Sequence, residues 1–445
     1  MSGILRIRLP IEFRKRSMKK HSIIMALGPL LSAFVIVAII LFAPFNFGKL
    51  YSQAEQKAMA ANPLNRTQYI GYAMRSQALA NKKFLPIIGS SELEKISPYH
   101  PSSFAMKYNV NGYTPYLIGQ AGTQSLPQFF YIDSVAKQMK NRKIIFIISP
   151  QWFGRQGVQS GQMDQFTSHG AFYTWIEKAD PKDPLTQSIA KRLLGLNTDT
   201  TNTTLNDALS DLADGKAVAP TTLTKIELLS SLWVREDYLF SGVANLQAPD
   251  TGMLGKLEQD SQQLPKKLDY QQLDQDAYKY EAGRSTNNRF QVLNSVWNQK
   301  FKQHWRSMQN YQTKYHYDQS PEFSDFQYVL NEFAKNHDQV EFVIPAVNDK
   351  WYRYTGLPMS AMTNFSSKIK YQLRSQGFND IVDFTDRSSE SYFMQDTIHF
   401  GARGWVAFDK SMVDFANQPN QQPTYKIDNK KFLSKTWQNQ RVTQK

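Results

Sequence analysis

The stretch "FLPIIGSSELEKI" (84–96) sets two serines, Ser90 and Ser91, directly behind an apolar run that ends in glycine. Serine becomes a nucleophile only when a base removes its proton and a third group orients that base. A turn from strand into helix supplies such a serine together with backbone N–H groups that can hold an oxyanion. Taken alone, the same residues also make a simple helix cap. A base and its orienter stand together much later, in "MQDTIHFGARGW" (394–405), where Asp396 precedes His399 by three residues ahead of a helical pattern. At that spacing one loop can present both groups, the carboxylate selecting the imidazole tautomer and supporting its charge. An exposed ion pair or a capping interaction uses the same two residues.

Other chemistries find little material. The 445 residues contain no cysteine, which removes disulfides, thiolate zinc sites and thiol nucleophiles together. The histidines (His21, His100, His169, His304, His316, His337 and His399) stand singly, with no H-x-H or H-x-x-x-H pair, so no metal or cofactor site is expected. A net charge of +14 raises the question of nucleic acid, but residues 1–21 carry +6 of it and residues 420–445 carry +5. The body is close to neutral, and a nucleic-acid groove across it is not expected.

The elements that must position the candidate residues follow from hydropathy. The first basic cluster precedes "IIMALGPLLSAFVIVAIILFA" (23–43), an uncharged run long enough to cross about 30 Å of hydrocarbon as a helix. Positive charge ahead of it predicts a cytoplasmic N-terminus and an extracytoplasmic remainder. From Phe84 short apolar runs alternate with helical patterns: "FLPII", "YTPYLI", "KIIFIIS", "VEFVIPA" and "DIVDF" read as strands, with a mostly helical stretch from about 155 to 320 interrupting them. Alternation of this kind predicts an α/β fold, a parallel sheet with helices on both faces, whose ligands sit beyond the carboxyl ends of the strands. The expected division is a basic cytoplasmic segment (1–21), a membrane anchor (22–43), a stalk with lead-in helices (44–82), a first core part (83–154), the helical insertion (155–320), a second core part (321–418) and a basic tail (419–445).

The order of the two motifs, a G-x-S turn after the first strand and D-x-x-H before the last helix, resembles the SGNH (GDSL-like) hydrolase superfamily. Mapped onto its G-D-S turn, Gly89, Ser90 and Ser91 make Ser91 the nucleophile, with His399 as base and Asp396 as its orienter. The superfamily's oxyanion hole implies the Ser91 backbone and a glycine of the second block, for which Gly119 and Gly122 in "IGQAGTQ" both qualify. Its third block uses an asparagine, where "SPQWFG" offers Gln151, a longer donor of the same type that could equally satisfy loop backbone groups; Trp152 and Phe153 beside it are candidates for an acyl-pocket wall or for simple packing.

The basic N-terminus and anchor, with "GSSEL", "GQAGTQSL", "SPQWF" and "DTIHFGARGW", are similar to the DltD family of the teichoic acid D-alanylation pathway of Gram-positive bacteria. The resemblance implies an extracytoplasmic acyl-transfer protein with lipoteichoic acid, a membrane-bound O-acyltransferase and the lipid bilayer as partners. The basic tail would meet the polyphosphate acceptor or anionic lipid. Two other readings use the same residues: an anchored esterase or thioesterase with water as acceptor, and a non-catalytic adaptor that docks the acyltransferase.

Overall fold

Five short apolar runs form one sheet in the computed structural model, which describes residues 20–42, 51–63, 71–197, 199, 201–244 and 252–442. The strands are β1 (Phe84–Ile88), β2 (Thr114–Ile118), β3 (Lys143–Ile147), β4 (Gln339–Ile344) and β5 (Ile381–Asp383), all parallel, in the spatial order β2-β1-β3-β4-β5. Every residue of β1, β3 and β4 is buried, as expected of central parallel strands, including Lys143 at the start of β3 and Gln339 and Glu341 in β4. Side chains alternate between two cores: Ile88, Phe146 and Phe342 point to one face, and Ile87, Ile145 and Val343 to the other. The chain leaves β1 towards β2 and then crosses back to β3, so the switch point, where such sheets open a crevice, lies beside β1.

The helical insertion does not stand apart from this sheet. Its earlier helices, His169–Ile176, Pro184–Leu196 and Thr203–Ala213, bury Phe172, Trp175, Ile189, Leu193 and Leu205 in the first core. Its later helix Tyr270–Ala282 buries Leu273 and Ala277 in the second. One insertion therefore covers part of both faces.

Two terminal segments differ from expectation. The region expected as a stalk with lead-in helices is integrated where it is described, at 51–63 and 71–82: helices Gln53–Ala60 and Tyr72–Ala80 place Ala60, Met74, Ala78 and Leu79 in the first core. The Arg142 guanidinium, 4% exposed, donates to the carbonyls of Leu79, Asn81 and Phe84 and so ties that lead-in to β1. The basic tail is likewise docked, because its short helices Asn429–Phe432 and Lys435–Asn439 bury Phe432 and Trp437. The Trp437 indole donates to Gln372 (3.0 Å), and the buried Lys368 ammonium donates to the carbonyls of Asp318, Trp437 and Gln440 at 2.6–2.8 Å. Apolar residues spaced among the lysines decide this packing, and net charge alone hides them.

The expected membrane span falls only partly within the described region. A 23-residue helix, Lys20–Phe42, follows it. Its described side chains, at 27–39, are too few for a span, and among the described residues no helix is long and apolar enough to cross a membrane. Residues 1–19 and 43–50 lie outside the described residues.

The docking of the tail has a measurable consequence. Trp437→Ala should destabilise the protein by about 3–5 kcal/mol in chemical unfolding, whereas an undocked tail would leave the unfolding midpoint where it is.

Candidate active site

The turn after β1 is held from the β2 side of the sheet. The Gly89 N–H donates to Ile118 O (2.9 Å), and Gly89 O accepts from Gln128 Nε2 (2.8 Å). The Ser90 N–H donates to Glu92 Oε1 (2.7 Å), and the Ser90 hydroxyl donates to Gln120 O (3.1 Å). Ser90 is only 2% exposed, so both of its polar groups are engaged in holding the turn. Ser91 opens a single 3₁₀ turn, Ser91–Glu94, and its Oγ lies 2.7 Å from His399 Nε2.

The base arrives on a loop closed by an antiparallel bridge between Met394 and Phe400. Asp396 Oδ1 accepts the Ile398 and His399 N–H groups, both at 2.9 Å, and its Oδ2 lies 2.7 Å from His399 Nδ1. An ionised carboxylate only accepts, so Nδ1 carries the ring proton and the Nε2 lone pair faces Ser91. Burial by itself raises the Asp396 carboxyl, but the His399 charge and the hydrogen bonds from His399 and Ile398 outweigh it and hold it below the ordinary carboxylate value. The loop can sit this close to helix Ala402–Asn417 because a Cβ at Gly404 would meet Phe393 O at 2.4 Å.

A carboxylate from the insertion fixes the start of that helix. Glu281 Oε1 accepts the Ala402 N–H at 2.9 Å, satisfying a helix-terminal donor that would otherwise be buried without a partner. Burial pushes the Glu281 carboxyl up to about 7, with the nearby Asp396 charge adding to it and the Ala402 N–H opposing. On the other side, Glu322 Oε1 accepts the Ser125 N–H (2.8 Å) at the start of helix Ser125–Ser134, and Glu94 Oε1 accepts the Ala121 N–H (2.6 Å). Glu92, Glu94, Gln128, Glu281 and Glu322 were not singled out by sequence reasoning. Only Glu92 and Glu94 stood beside a motif, in the first turn after the serines.

The oxyanion candidates separate in space. Gly119 has φ +146°, and a Cβ on it would lie 2.1 Å from Gly89 O and 3.1 Å from Ser90 N, so the second-block turn presses against the nucleophile turn only because this residue is glycine. Among the described residues, neither the Ser91 N–H nor the Gly119 N–H has a protein acceptor. Gly122 is exposed beside Phe166, its carbonyl accepting from Gln162 Nε2 at 3.4 Å. Gln151, in the 3₁₀ turn after β3, has a buried Oε1 with no partner and lines a cavity of about 1270 Å³, as does Trp152. Phe153 does not form a pocket wall: it is fully buried against the rings of Phe323 (4.6 Å) and Phe365 (4.9 Å). Among the described residues no group of three or more His, Asp or Glu side chains could hold a metal ion.

A five-stranded parallel sheet with many helices, a serine in the turn after its first strand and an Asp-x-x-His loop ahead of helix Ala402–Asn417 make this a protein of the α/β class. A profile of the family described as "DltD protein" matches residues 61–417. Three relatives called Protein DltD extend this. The chain is 35% identical to the protein of Lacticaseibacillus rhamnosus over 416 residues, 93% of this chain and 96% of the relative. It is 29% identical to that of Bacillus subtilis strain 168 over 391 residues, 87% and 96% of the two chains. It is 23% identical to that of Staphylococcus aureus strain NCTC 8325 over 397 residues, 86% and 94% of the two chains. The chain belongs to the DltD family.

Two substitutions test this geometry. Asp396→Asn should slow labelling of Ser91 by a fluorophosphonate about 10³–10⁴-fold, because the amide no longer selects the tautomer that faces Ser91. Since the folded-state value of Asp396 lies below its unfolded one, its contribution to stability is present above about pH 4 and is lost as the pH falls through the lowered value. The melting temperature of Asp396→Asn should therefore lie below that of the parent at neutral pH, and the gap should close in acid. Gly119→Ala must displace the backbone of the nucleophile turn and should cost at least about 10²-fold in the same labelling rate. Gly122→Ala strains its own turn, with φ at +93°, but its Cβ meets only the Phe166 ring, at 3.4 Å, and not the nucleophile turn, so it should cost less in the same labelling rate.

Proposed function

We propose that this protein is a membrane-anchored, extracytoplasmic serine acyltransferase that carries D-alanyl groups to lipoteichoic acid. The reading rests on one observation above all, the continuous contact from Asp396 through His399 to Ser91, with both links at 2.7 Å. Family membership gives the acyl group and the pathway, and the uncharged run 23–43 behind a basic N-terminus supports the anchor and an outward-facing domain.

The chemistry follows from the positions of the atoms. Ser91 Oγ attacks the carbonyl carbon of a D-alanyl ester or thioester while His399 Nε2 takes its proton. The Ser91 and Gly119 N–H groups receive the developing oxyanion, and Asp396 steadies the imidazolium. His399 then returns the proton to the leaving alcohol or thiol, and D-alanine remains as an ester on Ser91. A polyol hydroxyl of the acceptor, deprotonated in turn by His399, attacks that ester and restores the serine. Gln151, with its unpaired buried Oε1, orients a donor group of one substrate from the neighbouring turn. With water in place of the polyol the same residues would hydrolyse the ester.

The test is complementation of a deletion strain by the full chain carrying Ser91→Ala, with ester-linked D-alanine on lipoteichoic acid measured against matched protein levels. Loss of D-alanine with Ser91→Ala and its retention with Ser90→Ala is the expected result, together with an alanyl adduct on Ser91 by mass spectrometry. Full D-alanine from Ser91→Ala would overturn the nucleophile and favour an adaptor. Release of free D-alanine without transfer would favour the hydrolase.

A further inference from the structure

The acyl group assigned to Ser91 carries one formal charge, the α-ammonium of D-alanine, two bonds from the carbonyl carbon that the serine attacks. A site that takes this group in preference to a plain acyl chain needs an anion close to the nucleophile. Most carboxylates around the catalytic residues are committed elsewhere. Asp396 uses both oxygens within the His399 loop. Glu92 and Glu281 are buried, and they give Oε1 to the Ser90 N–H and the Ala402 N–H respectively.

Glu94 differs from these. It closes the 3₁₀ turn that Ser91 opens, and side chains three residues apart in such a turn eclipse one another, so Glu94 leaves the turn on the side of the nucleophile. Its Oε1 accepts the N–H of Ala121, two residues beyond Gly119, at 2.6 Å. The carboxylate thereby bridges the two turns whose Ser91 and Gly119 N–H groups are offered to the oxyanion. The second of those turns is itself braced. The Gln120 N–H donates to Thr123 Oγ1 (3.1 Å), the Thr123 N–H donates to Gln120 O (2.9 Å), and the Ser90 hydroxyl donates to the same carbonyl. Glu94 is only half-buried, no described residue donates to its Oε2, and it forms no ion pair among the described residues. A glutamine would accept from Ala121 equally well, so holding the turn leaves the charge of Glu94 without a use.

We propose that Glu94 is a specificity-determining residue whose Oε2 accepts hydrogen bonds from the α-ammonium of the D-alanyl group while the acyl carbonyl lies against the Ser91 and Gly119 N–H groups. Charge selects the aminoacyl group, and the braced turn holds the carboxylate in place before the substrate arrives, which lowers the entropy lost on binding. The same contact serves the incoming ester or thioester and the ester on Ser91, since the ammonium keeps its distance from the carbonyl carbon in both. This role rests on the acyl-transfer reading for the identity of the acyl group.

Acylation of Ser91 is followed by intact-protein mass spectrometry on the full chain in detergent micelles. The probes are the pantetheine thioesters of D-alanine and of propionic acid, the latter being the same acyl group without its ammonium. The readout is the ratio of the D-alanyl to the propionyl acylation rate in each variant relative to the parent, which cancels the intrinsic reactivities of the two thioesters. Glu94→Gln keeps an oxygen for the Ala121 N–H and should lower the ratio about 5- to 50-fold, as expected for a half-buried hydrogen bond to a charged group. Glu94→Ala also gives up the turn contact, so it should lower the ratio as far and slow both acylations besides. Equal slowing of the two acylations in both variants, with the ratio at the parent value, is the outcome of a merely structural Glu94 and would overturn the specificity role alone. Absence of a D-alanyl adduct on Ser91 in the parent chain would overturn the acyl-transfer reading and the role of Glu94 with it.

Discussion

The contact between Ser91 Oγ and His399 Nε2 joins two residues 308 positions apart, and most of the fold can be understood as the means of making it. A single hydrogen bond contributes only about 1 kcal/mol net. It cannot draw together the first strand of a domain and its last loop against the entropy of the chain between them. The two groups must be delivered to their places by elements that are stable for other reasons. The buried central strand β1 does this for Ser91, and the Met394–Phe400 bridge with the following helix does it for His399.

Carboxylates at helix starts provide the fine positioning. Glu281 reaches from the insertion to the Ala402 N–H, Glu322 reaches to the Ser125 N–H, and Glu94 holds the turn that contains Gly119. Each satisfies a donor that a helix or turn leaves open, and each lies on an element remote in sequence from the one it steadies. Glu322 neighbours Asp325, which forms a buried, multiply bonded pair with Arg192 of the insertion at 2.9–3.2 Å. The insertion thereby acts on the site from both faces of the sheet, which gives it a structural task independent of any docking partner.

Much of the sheet was legible because parallel strands buried on both faces leave an unmistakable local mark. "FLPII" and "KIIFIIS" became β1 and β3, and "ARGWVAFDKSMVDFA" became the helix Ala402–Asn417 almost residue for residue. The insertion was recognisable as helical, but nothing in its periodicity says that its halves divide between two cores. The lead-in from Tyr51 and the tail beyond 419 looked peripheral because polar residues dominate them. A few buried side chains, Met74, Leu79, Phe432 and Trp437, decide otherwise. Whether Phe153 walls a pocket or packs in the core was not legible for the related reason that an aromatic beside a strand end reads the same in both roles; it packs against Phe323 and Phe365.

The sequence by itself determined the residue types of the site, their order along the chain and their strand and loop context. These are local properties: a G-S-S turn behind an apolar run, and a carboxylate one turn ahead of a histidine. What only the tertiary structure decided is how the two serines differ and which glycine matters. Ser90 gives its hydroxyl to Gln120 O while Ser91 faces His399, and Gly119 rather than Gly122 presses against the turn. It also decided that Arg155, Lys314 and Arg441 line one groove. These outcomes depend on which distant segments pack together, and a contact between segments is set by the summed burial of the whole core, a quantity no short stretch carries.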